Sequence, residues 1–249
     1  MLISFFEEFP TAENLQKVKQ VTWRTKVYLA AKSVSQFNGY TANITSKKVQ
    51  EVVYWPILSR QEGYWISPFS ERKALEKLFW ELHGKNIPVM LDLELPTTQN
   101  PWLYLTQALN FPSNKKLITN FISTYQGQIY QAEYYPEGKR NQRLLQFLGL
   151  HYPQPKVKVI KMLYHSLHHF SEDFLRRQLQ QGQQVWEKNF VVGMGTITKG
   201  IHGNEPRLSA QQLEKDLELA QKMKIQEVVL FRLGGLNKKY GEILKKYAQ

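Results

Sequence analysis

Asp92 and Glu94 stand two residues apart at the end of the apolar run Val89-Met90-Leu91, just before Leu95 and Pro96. Side chains alternate faces along a strand, so both carboxylates project to one side. If Leu91 and Leu93 pack against helices, that side is the interior of a barrel. Two like charges this close raise at least one pKa, which is what a general acid needs near neutrality. A second acid for Glu94 could come from Glu133, Glu7 or Glu205. A carboxyl separation of ~5–5.5 Å would fit retaining glycoside hydrolysis and ~6.5–9.5 Å inverting hydrolysis. Glu7, Glu133 and Arg232 could equally pair with one another as structural ions. Glu205 is either a loop acid or a charge beside the helix that starts at Ser209.

Rings gather near the same end of the chain's strands. The segment Tyr54-Trp55-Pro56 to Phe69 also holds Tyr64 and Trp65 beside Gly63. Such rings stack on the apolar faces of sugars while their polar tips hydrogen-bond; the alternative is that they pack beneath the following helix. Trp55 suits packing, and Tyr64 and Trp65 suit binding.

Phosphate chemistry is the rival. Gly195 and Lys199 follow one strand, and Gly234 and Gly235 follow Arg232 at the end of another. Barrel enzymes often bind phosphate on backbone N–H groups after the seventh and eighth strands. This would suit a phosphosugar isomerase, aldolase or phosphodiesterase, although the same glycines could simply make tight rim turns. The spacing is neither a Walker loop nor a dinucleotide fingerprint. His165 and His169 could share a helix face at i, i+4, and Asp92, Glu94, Glu133 and His165 could hold a divalent ion. Without H-x-H or H-E-x-x-H spacing, the sequence calls for no metal and no cofactor. A third class, a barrel that binds without reacting, also stays open.

The elements that must position these groups alternate regularly. Strand-like runs fall at Leu2–Phe6, Val27–Ala30, Glu51–Leu58, Ile87–Leu93, Ile129–Tyr134, Val157–Tyr164, Phe190–Thr196 and Glu227–Leu233. Helical sequence follows each, including Ser70–His83 with Ser70 as N-cap, Ser171–Trp186, and Ser209–Met223 opened by a Ser209/Gln212 capping box. The run Ile87–Leu93 is nearly all apolar, as in parallel strands buried on both faces. Eight strands, each followed by a helix, predict a single (β/α)8 TIM barrel over residues 1–249. An open doubly wound sheet is the runner-up.

With the strands placed, a resemblance appears. Asp92-Leu93-Glu94 resembles the fourth-strand signature of family 18 (chitinase-type) glycoside hydrolases, D-x-x-D-x-D-x-E followed by an aromatic residue and Pro. Met162-Leu163-Tyr164-His165 is similar to that family's sixth-strand Met-x-Tyr-Asp. The resemblance implies that Glu94 is the acid for the glycosidic oxygen. It implies that Asp92 orients a substrate N-acetyl group as internal nucleophile and that Tyr164 hydrogen-bonds the same centre. Met90 stands where the family has another Asp, His165 replaces the Asp after Tyr164, and the eighth strand lacks the family's tryptophan.

Composition sets the outer limits. The 249 residues contain no cysteine, so disulfides, thiolate metal sites and cysteine nucleophiles are excluded. Lysine and arginine total 33 against 21 acids, a formal charge of +12. The basic residues are scattered as isolated pairs, which makes nucleic acid an improbable partner and a small-molecule or glycan ligand the expected one. No apolar run is long enough to span a membrane, and Met1–Phe6 lacks the flank and core of a secretion signal, so a cytoplasmic location is the default expectation. Oligomeric state is not encoded legibly.

Overall fold

The computed structural model describes residues 1–135 and 138–248. The apolar runs form eight parallel strands, β1 (Leu2–Glu7), β2 (Thr25–Ala31), β3 (Val49–Pro56), β4 (Val89–Asp92), β5 (Ile129–Glu133), β6 (Lys158–Met162), β7 (Phe190–Thr196) and β8 (Glu227–Phe231). They close into a barrel in sequence order. The helices are α1 (Ala12–Gln16), α2 (Val34–Thr41), α3 (Arg72–Leu82), α4 (Leu103–Thr106), α5 (Phe111–Thr124), α6 (Gly138–Leu148), α7 (Glu172–Trp186), α8 (Ala210–Lys222) and α9 (Lys238–Tyr247). The architecture is the expected (β/α)8 barrel, with several strands shorter than their sequence runs. No helix among the described residues is long and apolar enough to cross a membrane.

The chain divides into two compact units, one of Met1–Ala30, Asn38–Val53 and Val159–Gln249, the other of Ala31–Phe37 and Tyr54–Lys158. In the first, register places Ser4 opposite Val229 and Phe6 opposite both Phe231 and Tyr28. Period two then puts Ser4, Phe6, Tyr28, Val229 and Phe231 on one face. That face is polar at the start of its strands, where Glu227 accepts from Ser4 (2.8 Å), Tyr28 (2.9 Å) and Lys26 (2.9 Å). Toward the strand ends it is aromatic, with Phe6 5.3 Å from Tyr28 and 6.4 Å from Phe231 between ring centroids. The other face meets helices: Lys161 lies over the α7 ring of Trp186 at 4.8 Å. Gly195 takes a left-handed φ of 50° at the irregularity between β7 and β8, and a Cβ there would fall 2.4 Å from Leu208.

In the second unit, β4 and β5 pair Met90 with Tyr130, Leu91 with Gln131 and Asp92 with Ala132. Helix α3 buries Ala74, Leu75, Leu78, Phe79 and Leu82, and Phe79 stacks on Phe121 of α5 at 4.3 Å. Its N-cap is Glu71, which accepts from the Ala74 amide, rather than the expected Ser70. The Ser70 hydroxyl instead donates to the Trp65 carbonyl and accepts from the Ser67 amide, fixing the preceding loop. Ser209 does cap α8, accepting from the Gln212 backbone amide, but the Gln212 side chain donates to Asp216 instead of closing a capping box.

Candidate active site

Helical stretches and turns fix where each acidic side chain goes, and the strand period decides which face it joins. β4 ends at Asp92, two residues before Glu94, rather than running to Leu93. The Leu93 amide still donates to the Ala132 carbonyl at 3.0 Å, so the extended direction of the strand carries on toward Glu94. Leu91 and Leu93 are fully buried. Asp92 faces the same side as its register partner Ala132, and Tyr134, two residues on, continues that side. The Tyr134 hydroxyl donates to Glu94 Oε2 at 2.9 Å.

Glu94 is half-buried, and burial pushes its pKa up from 4.5 to about 7, with the Tyr134 hydrogen bond pulling the other way. The largest cause is loss of solvent. Burial also lifts the Tyr134 phenol far above its ordinary range, helped by the charges of Glu94 and Asp92. The phenol therefore stays protonated and acts as a donor. Tyr134 is the partner that sequence reasoning missed; its parity with Ala132 was readable, but the β4–β5 register was not.

Glu133 lies on the opposite face from Asp92. It is fully buried and accepts a hydrogen bond from the Gln131 side chain, while His151 Nδ1 stands 2.7 Å from Glu133 Oε2. Gln131 in turn accepts from the Tyr152 amide. The segment after α6 thus covers this face, and Glu133 serves the packing of β5 instead of completing a pair of acids with Glu94. His151 carried no motif to mark it.

Tyr64 and Trp65 are buried, not open to a ligand. Tyr64 has a φ of 63°, a conformation rare for a residue with a side chain. Its ring meets Trp65 edge-on at 5.3 Å. The Ile66 amide donates to the Asp92 carbonyl at 2.9 Å, so this loop packs against the end of β4.

In the other unit, Glu7 shares the helix-facing side of β1 with Ile3 and Phe5. Its carboxylate accepts from four groups: Arg232 (3.0 Å), the Gly234 amide (2.6 Å), the Phe9 amide (2.8 Å) and the Asn14 side chain of α1 (3.4 Å). Burial raises its pKa, and the Arg232 charge and backbone donors hold that rise back. The expected ion pair of Glu7 with Arg232 forms, without Glu133. The Arg232 guanidinium also lies over the Phe9 ring at 4.7 Å and donates to the Lys199 carbonyl. The donors that a phosphate would use are thus engaged by a carboxylate of the chain itself. The Gly235 amide is likewise bonded to the Arg232 carbonyl, and the Lys199 side chain is exposed.

Tyr164 follows the end of β6, half-buried, with its ring 6.2 Å from Phe231 and against Gly193, which leaves no room there for a Cβ without a close contact. His165 turns away toward α8. Its Nδ1 lies 3.1 Å from Asp216, which also accepts from Gln212. These groups line a cavity of about 460 Å³ with residues of α7 and α8. Residues 165–167 form a turn and 168 a bend, not a helix, so His165 and His169 do not share a helix face. Glu205 accepts from the Gly200 and His202 amides, both at 2.9 Å. Burial opposes its ionisation, but those donors outweigh it and hold its pKa below the ordinary value. Glu205 closes its own loop and is poorly suited to delivering a proton near neutrality. Among the described residues, no group of three or more His, Asp or Glu could hold a metal ion.

No protein-family model matches this sequence, and no curated protein matches it either. Solved structures match its fold. The PgaB (BpsB) glycoside hydrolase domain from Bordetella bronchiseptica superposes with a TM-score of 0.60 at 9% identity, covering 100% of this chain and 98% of that one. A class V chitinase from Pseudomonas fluorescens Pf-5 gives 0.57 at 9% identity, covering 99% of each chain. A D-tagatose 3-epimerase-like protein gives 0.53 at 12% identity, covering 99% of this chain and 97% of that one. At such identities the likeness is one of fold: a TIM barrel of the kind found in glycoside hydrolases, shared with an epimerase-like protein.

Proposed function

We propose that residues 1–249 act as one barrel domain that hydrolyses a glycoside, with Glu94 as general acid. The observation that carries this reading is the Glu94 carboxyl itself, held by Tyr134 at the end of β4 with a pKa near 7. A group with that pKa is about half protonated at neutral pH, poised both to give and to take a proton. Tyr134 donates to Oε2, so the acid proton resides on Oε1 and leaves from there to the glycosidic oxygen as the bond to the sugar carbon breaks. Asp92, on the same face, orients the group that attacks that carbon. On the family 18 resemblance that group is the substrate's own N-acetyl oxygen. Water then adds to the sugar carbon as the bond from that carbon to the N-acetyl oxygen breaks, and the water's proton returns to Glu94 Oε1. Tyr164 enters as a positioning residue through the match of Met162-Leu163-Tyr164 to the sixth-strand pattern. No cofactor takes part in this scheme.

The test is a turnover screen on chromogenic N-acetylated and plain glycosides and on phosphosugars, with Glu94→Gln as the control. Glycoside turnover that disappears in Glu94→Gln supports the reading. Turnover of phosphosugars alone, indifferent to Glu94→Gln, overturns it.

A further inference from the structure

We propose that the face formed by α4, the segment leading to α5, and α6 docks on an anionic lipid bilayer. Single exposed apolar side chains are ordinary on protein surfaces, but here they cluster. Trp102 and Leu105 are each 70% exposed and Leu109 is 95% exposed, at i, i+3 and i+7 spacing. On α6, Leu144 is 51% and Phe147 65% exposed. One aromatic ladder underlies both groups. Tyr104 of α4 packs on Phe69 at 4.8 Å, Phe69 on Phe111 at 4.8 Å, and Phe111 on Phe147 at 6.2 Å. The apolar side chains therefore belong to one patch, of the kind that marks an interaction surface.

Charge identifies the occupant. Between Leu95 and Lys156 the sequence has two acidic residues, Glu133 and Glu137, against Lys115, Lys116, Lys139, Arg140, Arg143 and Lys156. Glu133 is fully buried against His151 and offers nothing at the surface. Lys115 is joined to the patch directly, donating to the Phe147 carbonyl at 3.0 Å with its ammonium 5.8 Å from that ring. Arg140 and Leu144, and Arg143 and Phe147, stand at i, i+4 on α6 and share its exposed side. No carboxylate among the described residues pairs with Lys116, Arg140 or Arg143. Projecting Trp, Leu and Phe side chains edged by cations are what an anionic headgroup layer accepts. The apolar groups enter the acyl boundary and the cations remain at the phosphates. A side chain as fully projected as Leu109 suits insertion into a soft layer rather than filling a rigid pocket.

Trp102 follows Glu94 by eight residues in the same β–α connection. Docking here would bring the candidate site to the membrane surface, but the surface proposal needs no turnover and stands apart from the hydrolase reading. The experiment is flotation with vesicles of phosphatidylcholine alone and of phosphatidylcholine mixed with phosphatidylglycerol. Expected is binding to the mixed vesicles only. An Arg140→Gln/Arg143→Gln variant should bind about thirtyfold more weakly, from about fivefold for each basic residue near an anionic surface. A Trp102→Ser/Leu109→Ser variant should lose binding, and Glu94→Gln should bind like the wild type. Trp102, Leu109, Arg140 and Arg143 are on the surface, Glu94 is half-buried, and thermal melts check that every variant folds. Absence of binding to mixed vesicles overturns the proposal, as does equal binding by all variants. So does self-association abolished by Trp102→Ser/Leu109→Ser without lipid binding, which would assign the face to a second copy.

Discussion

Glu7 and Glu94 are both carboxylates at the ends of barrel strands, both are raised in pKa by burial, and their surroundings differ in one respect. Glu7 is held by four donors, two of them backbone amides and one a guanidinium. Glu94 is held, among the described residues, by the Tyr134 phenol. A carboxylate whose lone pairs are filled by fixed donors gains rigidity and has no vacant oxygen to offer a substrate. A carboxylate with one oxygen engaged and the other open can exchange a proton at little structural cost. Burial alone therefore does not mark a catalytic acid; the number of donors that accompany it does.

The comparison breaks first on activity. Glu94→Gln should lower kcat by about 10²–10⁴, the usual range for a general acid, with ligand affinity retained in calorimetry. A variant that keeps its kcat would place the acid elsewhere. Next comes Arg232→Leu, which leaves the fully buried Glu7 without its counter-charge. Breaking one side of such a pair costs about 3–5 kcal/mol, to be read as a lower urea midpoint at pH 7. The loss should shrink at acid pH, where Glu7 takes up a proton.

The third expectation concerns Glu94 and pH. Its pKa rises from 4.5 to about 7 on folding, so its stabilising contribution is present at low pH and is lost as pH climbs through 7. Glu94→Gln should match the wild type below pH 4.5 and exceed it above pH 7, by roughly 1–3 kcal/mol in urea unfolding. Equal pH profiles would mean that the Glu94 carboxyl is hydrated in solution. The smallest effect belongs to Tyr134→Phe. Removing a donor to the carboxylate raises the Glu94 pKa further, and the alkaline limb of the rate profile should move to higher pH by a fraction of a unit. A shift to lower pH would contradict the donor role.

Much of this contrast could be anticipated from the sequence and part of it could not. The alternation of apolar runs with helical segments gave the strand count, and the two-residue spacing of Asp92 and Glu94 gave a shared face. Glu7 and Glu133 were equally visible as acids at strand ends. Their places in the alternation along β1 and β5, however, put them on the face opposite to Phe6 and to Asp92, and that parity becomes meaningful only once the register with neighbouring strands is known. Tyr64 and Trp65 looked like a sugar platform because aromatic composition does not distinguish a ring stacked in a loop from one left open. His165 looked like a member of a histidine cluster because the turn that aims it at Asp216 has no local signature.

What the linear chain settled is short-range: where strands and helices fall, which side chains alternate, and which end of each strand is polar, since these follow from backbone periodicity and burial of apolar runs. Partner choice was settled only by the folded chain. Arg232 reaches Glu7 from 225 positions away, His151 reaches Glu133, and Tyr134 reaches Glu94. A carboxylate's proton affinity depends on the donors and solvent within a few ångströms of it, and closure of the barrel alone decides which residues those are.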